Sequence, residues 1–124
     1  MDAQSIVLES AGDDVAVVSI SGEHDIYTAP TLRERLEEAL AQDAVKGLVV
    51  DLTKATFVDS SILGALLEGR RQALEKDLNY VVCIAEQVEP GVQRILEITG
   101  LVPVLPVVRS REEAVDIARG TASA

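Results

Sequence analysis

Ser60, His24 and Asp25 are the residue types of a nucleophilic triad, and Asp59 sets a second carboxylate beside the Ser60 hydroxyl. A serine nucleophile of the elbow type needs Gly-x-Ser-x-Gly, and here Val58 and Ile62 occupy the glycine positions. A receiver-type phosphoaspartate at Asp51 or Asp59 would need a Lys after the last strand, and Arg109 stands there. No P-loop is present. One Cys and one His fall short of the roughly four ligands of a structural zinc site and exclude a disulfide within the chain. No metal and no cofactor is expected.

The elements that must carry these residues fit one domain, 1–124, because 124 residues leave no room for a second core. Hydrophobic residues make up 48%, enough for a packed interior. The charge is −10, with 21 acidic against 11 basic residues, and aromatics are only 2%: Tyr27, Phe57 and Tyr80. A nucleic-acid surface needs excess Lys/Arg or stacking aromatics, and a polybasic membrane surface needs the same cations; both are excluded. No window approaches the roughly 18–20 apolar residues of a membrane span. The start, Met1-Asp2-Ala3-Gln4, does not read as a signal peptide, so the cytoplasm is the expected location.

Short apolar runs alternate with amphipathic stretches. Ser5–Glu9 and Val15–Ser21 read as a hairpin-like pair around Gly12-Asp13-Asp14. Thr28–Gln42 places Leu32, Leu36 and Leu40 on one helical stripe, with Pro30 in its first turn. Gly47–Leu52 and Asn79–Ala85 read as buried strands, and Ser60–Lys76 as the helix between them. Glu89–Thr99 reads as a helix closed by Gly100 in a left-handed cap, with Leu101 as its hydrophobic contact. Pro103–Val108 reads as an edge strand, Ser110–Glu113 as a capping box opening a last helix, and 120–124 as a frayed tail. The order β-β-α-β-α-β-α-β-α predicts an α/β fold. Its sheet is mainly parallel, its first strand is antiparallel, and right-handed crossovers pack the helices on one face.

Sites on such sheets form at the carboxyl ends of strands. The segments 22–27 and 53–61 both follow strands. If those strands are neighbours, the only His, two of three aromatics and Asp59-Ser60-Ser61 share one edge. Each residue also has an ordinary role. Asp59 or Ser60 caps a helix, Asp25 beside Thr28 makes a turn, and Phe57 and Cys83 are core. Gly64 and Gly69 each cost a helix about 1 kcal/mol and permit close packing. Arg70-Arg71 is a solvated or snorkelling pair.

Gly22-Glu23-His24-Asp25 and Asp59-Ser60-Ser61-Ile62-Leu63-Gly64 resemble the paired motifs of the STAS domain family, which includes bacterial anti-sigma factor antagonists. Val49-Val50-Asp51-Leu52 followed by Phe57-Val58, and the stretch from Val92 to Gly100-Leu101, match the family's third strand and third helix. The resemblance covers almost the whole chain and implies a protein-interaction switch rather than an enzyme. In members of this type an anti-sigma factor with serine kinase activity phosphorylates the Ser after the motif Asp, here Ser60. Phosphorylation breaks the complex, and a PP2C-type phosphatase restores it. The implied partner surface is Glu23, His24, Asp25, Tyr27, Asp59, Ser60, Ser61, Ile62 and Leu63. Lys54 and His24 are the candidate counter-charges to a phosphate there. Ile62 stands where the family usually has Gly, and a β-branched side chain there is expected to crowd Ser60 or, with Leu63, to anchor a partner pocket. Crowding favours the alternative of a non-phosphorylated scaffold or ligand-sensing subunit. The oligomeric state is left open.

Overall fold

The computed structural model describes residues 5–98 and 107–121. Its elements are β1 (Ser5–Ser10), β2 (Val15–His24), α1 (Ala29–Leu40), β3 (Gly47–Val58) and α2 (Ser60–Glu75). They continue with β4 (Asn79–Cys83), α3 (Pro90–Ile98), β5 (Val107–Val108) and α4 (Arg111–Arg119). The strands lie side by side in the order β1-β2-β3-β4-β5. β1 runs antiparallel to β2, and the other pairings are parallel. The expected element order and strand directions therefore hold.

The apolar runs are continuous because both faces of the central strands are buried. Ala16, Val18, Ile20, Leu48, Val50 and Val82 point to α1 and α2, where Leu32, Leu36, Ile62 and Leu66 meet them. Val15, Val17, Val49, Val81 and Cys83 point to the other face, against Ala114, Ile117 and Ala118 of α4. This corrects the expectation that the helices share one face. α1, α2 and α3 are crossovers between parallel neighbours, so handedness places them together. α4 follows the last strand, crosses to nothing, and is free to cover the bare side.

Gly47 allows that helix to dock, since a Cβ there would lie 2.1 Å from the Ala118 carbonyl oxygen. Arg119 pairs with Asp14 at 3.1 Å, and Arg111 bridges Glu9 at 3.0 Å and the buried Asp51 at 3.4 Å. Ser110 Oγ accepts from the Glu113 amide, as the capping box predicts. Gly120, placed by the sequence in a frayed tail, instead closes α4 in the left-handed conformation at φ 89°. The expected Gly100 cap, its Leu101 contact and residues 103–106 of the edge strand lie outside the described residues.

Two strands are longer than their apolar runs. β2 extends through Gly22-Glu23-His24 and β3 through Thr53–Val58, segments that the sequence reads as loops. Between the Ser19–Asp51 and Ser21–Lys54 pairs, and again between Gly22–Ala55 and Glu23–Phe57, β3 carries one extra residue. Each bulge breaks the two-residue alternation, so the pairing continues where the sequence pattern ends. The Asp51 carboxylate accepts from the Thr53 amide at 2.8 Å at the first bulge.

Candidate functional site

The parallel pairing of β2 and β3 ends at Glu23–Phe57 and His24–Val58. Asp25 and Asp59 each come one residue later, so the two motif aspartates emerge side by side at one end of the sheet. Glu23 is exposed on the last rungs.

Asp25 organises the turn into α1. Its carbonyl accepts from the Thr28 and Ala29 amides at 3.1 and 3.0 Å, and its carboxylate accepts from the Tyr27 amide at 3.0 Å. The turn pushes Ile26 and Tyr27 outward, to 64% and 87% exposure. Phe57, expected in the core, is 43% exposed beside them. It is held there by the close approach of Gly91, whose backbone bridges to it. Ile26 lies in the 22–27 segment but is not among the expected partner-surface residues, because an apolar residue in a turn gives no periodic signal.

Asp59 is the N-cap of α2, and its carboxylate accepts from the Ser61 and Ile62 amides at 2.9 and 3.2 Å. Ser60, the first helical residue, is exposed, and its hydroxyl has no hydrogen-bond partner among the described residues. Ser61 is half-buried. Ile62 and Leu63 turn into the core at 0% and 5% exposure. This corrects the expectation for Ile62: its side chain neither crowds Ser60 nor, with Leu63, meets the surface.

His24 is 2% exposed. Its Nε2–H donates to the Ser21 carbonyl at 2.7 Å, and Nδ1 faces Thr28 Oγ1 at 3.1 Å. The ring therefore ties the end of β2 to the start of α1. It makes no hydrogen bond to Ser60 or to the Asp25 carboxylate, so the residue types of a triad are present without its geometry. Nor is His24 free to meet a phosphate.

Lys54 is exposed but stands opposite Ser21, back along the sheet from the strand ends. The cation that the sequence reading missed is Arg33 of α1. Its guanidinium lies 4.0 Å from where a Cβ of Gly64 would be. Gly64 is one helical turn after Ser60, and only tertiary packing shows that α1 brings an arginine there.

The other candidate chemistry is closed off. Asp51 is 3% exposed and engaged by Arg111 and the Thr53 amide, on the face under α4. Cys83 is fully buried, and burial, followed by the nearby Asp51 charge, pushes its thiol up to about 11. Among the described residues, no group of three or more His, Cys, Asp or Glu is placed to hold a metal ion. Among them, too, no helix is long and apolar enough to cross a membrane. What the edge offers is an exposed hydroxyl, three carboxylates and a small apolar patch, which suits a contact surface.

The chain is 32% identical over 93 residues to the anti-sigma F factor antagonist of Paenibacillus polymyxa, covering 75% of this chain and 77% of that protein. It is 36% identical over 87 residues to an anti-sigma-B factor antagonist of Staphylococcus aureus, covering 68% and 74%. Its fold superimposes on the crystal structure of an anti-sigma factor antagonist from Mycobacterium paratuberculosis with a TM-score of 0.80. That match has 28% identity and covers 94% of this chain and 95% of the other. The model of the STAS domain matches residues 7–114, and with motifs, topology and relatives in agreement, the chain belongs to the STAS domain family.

Proposed function

We propose that this chain is a cytoplasmic anti-sigma factor antagonist whose binding edge is switched off by phosphorylation of Ser60. One observation carries the reading: the Ser60 hydroxyl is exposed and, among the described residues, unpartnered at the start of α2, while the Asp59 carboxylate already holds the Ser61 and Ile62 amides.

A helix N-terminus ordinarily welcomes an anion through its free amides. Here Asp59 occupies that position. A phosphate on Ser60, adding about −1.5 to −2 charges, therefore gains little from the helix and stands among Glu23, Asp25 and Asp59. The consequence falls on the partner, which would have to desolvate a cluster of like charges. Each 1.4 kcal/mol lost there is about tenfold in affinity.

In this reading the partner is an anti-sigma factor with serine kinase activity. It supplies a nucleoside triphosphate and a divalent cation. The Ser60 Oγ–phosphorus bond forms, the bond from the γ-phosphorus to the diphosphate leaving group breaks, and the hydroxyl proton passes to a base of the kinase. A PP2C-type phosphatase hydrolyses the phosphoserine and returns the hydroxyl. Ile26 and Tyr27 supply the apolar anchor of the contact, with Glu23, Asp25 and Ser60 around it. His24, Asp59, Ser61, Ile62 and Leu63 shape this edge from beneath. The crowding that favours a non-phosphorylated scaffold is not a feature of a buried Ile62.

The test is a calorimetric titration of the cognate anti-sigma factor with wild type, Ser60→Ala and Ser60→Asp. Ser60→Ala should bind like wild type and resist ATP-driven release, and Ser60→Asp should bind at least tenfold more weakly. Equal affinity for wild type and Ser60→Asp, together with no phosphate on Ser60 after incubation with the kinase and ATP, defeats the reading.

A further inference from the structure

A glycine inside a helix costs about 1 kcal/mol against alanine, so α2 has two to account for. Gly69 is explained by packing, since a Cβ there would lie 3.1 Å from both Leu36 Cδ1 and the Tyr80 hydroxyl. Gly64 is not. It is exposed, and beyond its own stretch of helix the nearest described atom to its would-be Cβ is Arg33 Nη2, at 4.0 Å.

Among the described residues Arg33 makes no hydrogen bond or ion pair, whereas Arg35, Arg71, Arg111 and Arg119 each hold a carboxylate. Its guanidinium rests in an open groove between α1 and α2, lined by Glu37, Gly64, Glu68 and Gln72. Glu68 is itself held below the usual carboxylate range mainly by its hydrogen bond from Arg71, with Arg33 a lesser contributor. Arg33 is thus a cation in an acidic groove with no fixed partner.

Ser60 is four residues before Gly64. Side chains at that spacing have Cβ atoms about 5–6 Å apart, which puts the Arg33 guanidinium within about 10 Å of the Ser60 Cβ. A phosphate on Ser60 projects further toward it, and the path across α2 is open because residue 64 has no side chain. Guanidinium and phosphate pair through two parallel hydrogen bonds, a geometry that lysine lacks.

We propose that Arg33 is the positioning residue of the phosphorylated state: a phosphate on Ser60 draws the Arg33 guanidinium out of the α1–α2 groove, across Gly64, and into a charge-assisted pair. The inference rests on the phosphorylation reading above and goes beyond it. The phosphate is then held in one orientation against α2, and Glu37 and Glu68 lose the cation between them. Phosphorylation so changes the charge of the groove as well as that of the edge.

The test uses the full chain with phosphoserine installed at position 60 during translation, followed by phosphorus NMR across a pH titration. The nearby carboxylates Glu23, Asp25 and Asp59 act alike in every variant. Arg33→Gln should raise the second ionisation of the phosphate by about half a unit, roughly a threefold change in its ionisation constant. Arg33→Lys should fall between the two, and Arg35→Gln, which removes an arginine already paired with Glu38, should leave it unchanged. An unaltered titration in Arg33→Gln, or an equal shift in Arg35→Gln, overturns the proposal. Failure of the functional reading shows itself separately, as a phosphoprotein that binds the anti-sigma factor as tightly as the unmodified chain.

Discussion

Gly47→Ala and Gly64→Ala are the same chemical change in one chain, and the structure gives them opposite signs. At Gly47 the new Cβ would sit 2.1 Å from the Ala118 carbonyl oxygen, well inside the 3.0 Å below which real Cβ contacts do not occur. The obstacle is backbone on both sides, so β3 and α4 must separate by nearly an ångström. That carbonyl also accepts from the Asn79 side chain at 3.1 Å, and the Arg111 and Arg119 pairs resist the lift at either end of the helix. Overpacking costs about 1–3 kcal/mol, and with no flexible side chain to give way the upper end applies, about 3 kcal/mol. At Gly64 the space is open, so alanine brings only its helix preference, up to about 1 kcal/mol of stabilisation. Equilibrium urea unfolding reads both. With a slope of about 1–3 kcal/mol per molar, Gly47→Ala should lower the midpoint by roughly 1–3 M and Gly64→Ala should raise it by at most about 0.3–1 M. Equal midpoints for Gly47→Ala and wild type would refute the docking of α4 on Gly47, and with it the separation of α4 from the other described helices.

Two further outcomes follow from the surface and the core. Ile26→Ala and Tyr27→Ala should leave the urea midpoint nearly unchanged, because both side chains are exposed, yet weaken anti-sigma factor binding by about tenfold or more each, as exposed apolar anchors do; isothermal titration measures it, and full affinity in both variants would remove this patch from the interface. The Cys83 thiol is pushed up to about 11 in the fold against about 9 when exposed, so the folded state keeps its proton longer. Its contribution to stability is intact below pH 9 and is lost as the pH rises toward 11. Native protein should resist a thiol reagent at pH 8 and react only on unfolding, and rapid stoichiometric labelling of the native chain would show that Cys83 is not buried.

The alternation of strand and helix, the antiparallel first strand and the Asp59 cap are all local properties. Apolar runs, helical stripes and a carboxylate two or three residues before free amides announce themselves within a few positions, so the sequence determined the element order, whereas the convergence of Asp25 with Ser60 at one sheet end was conditional on β2 and β3 being neighbours, which only their pairing decided. The strand lengths were not legible, because two bulges in β3 shift its alternation and only the partner strand reveals that pairing goes on to Val58. The face of α4 was misplaced, since the one-face expectation extended the handedness of crossovers to a helix that is not one. Side-chain burial at the site followed from tertiary packing: Ile62 and Leu63 belong to the motif yet fill the core, and His24 is a buried tie between Ser21 and Thr28 rather than a contact residue. Arg33 and Gly64 are thirty-one positions apart, with nothing in either neighbourhood to link them. Their meeting depends on two helices laid side by side on one sheet, and that proximity is a property only the folded chain has.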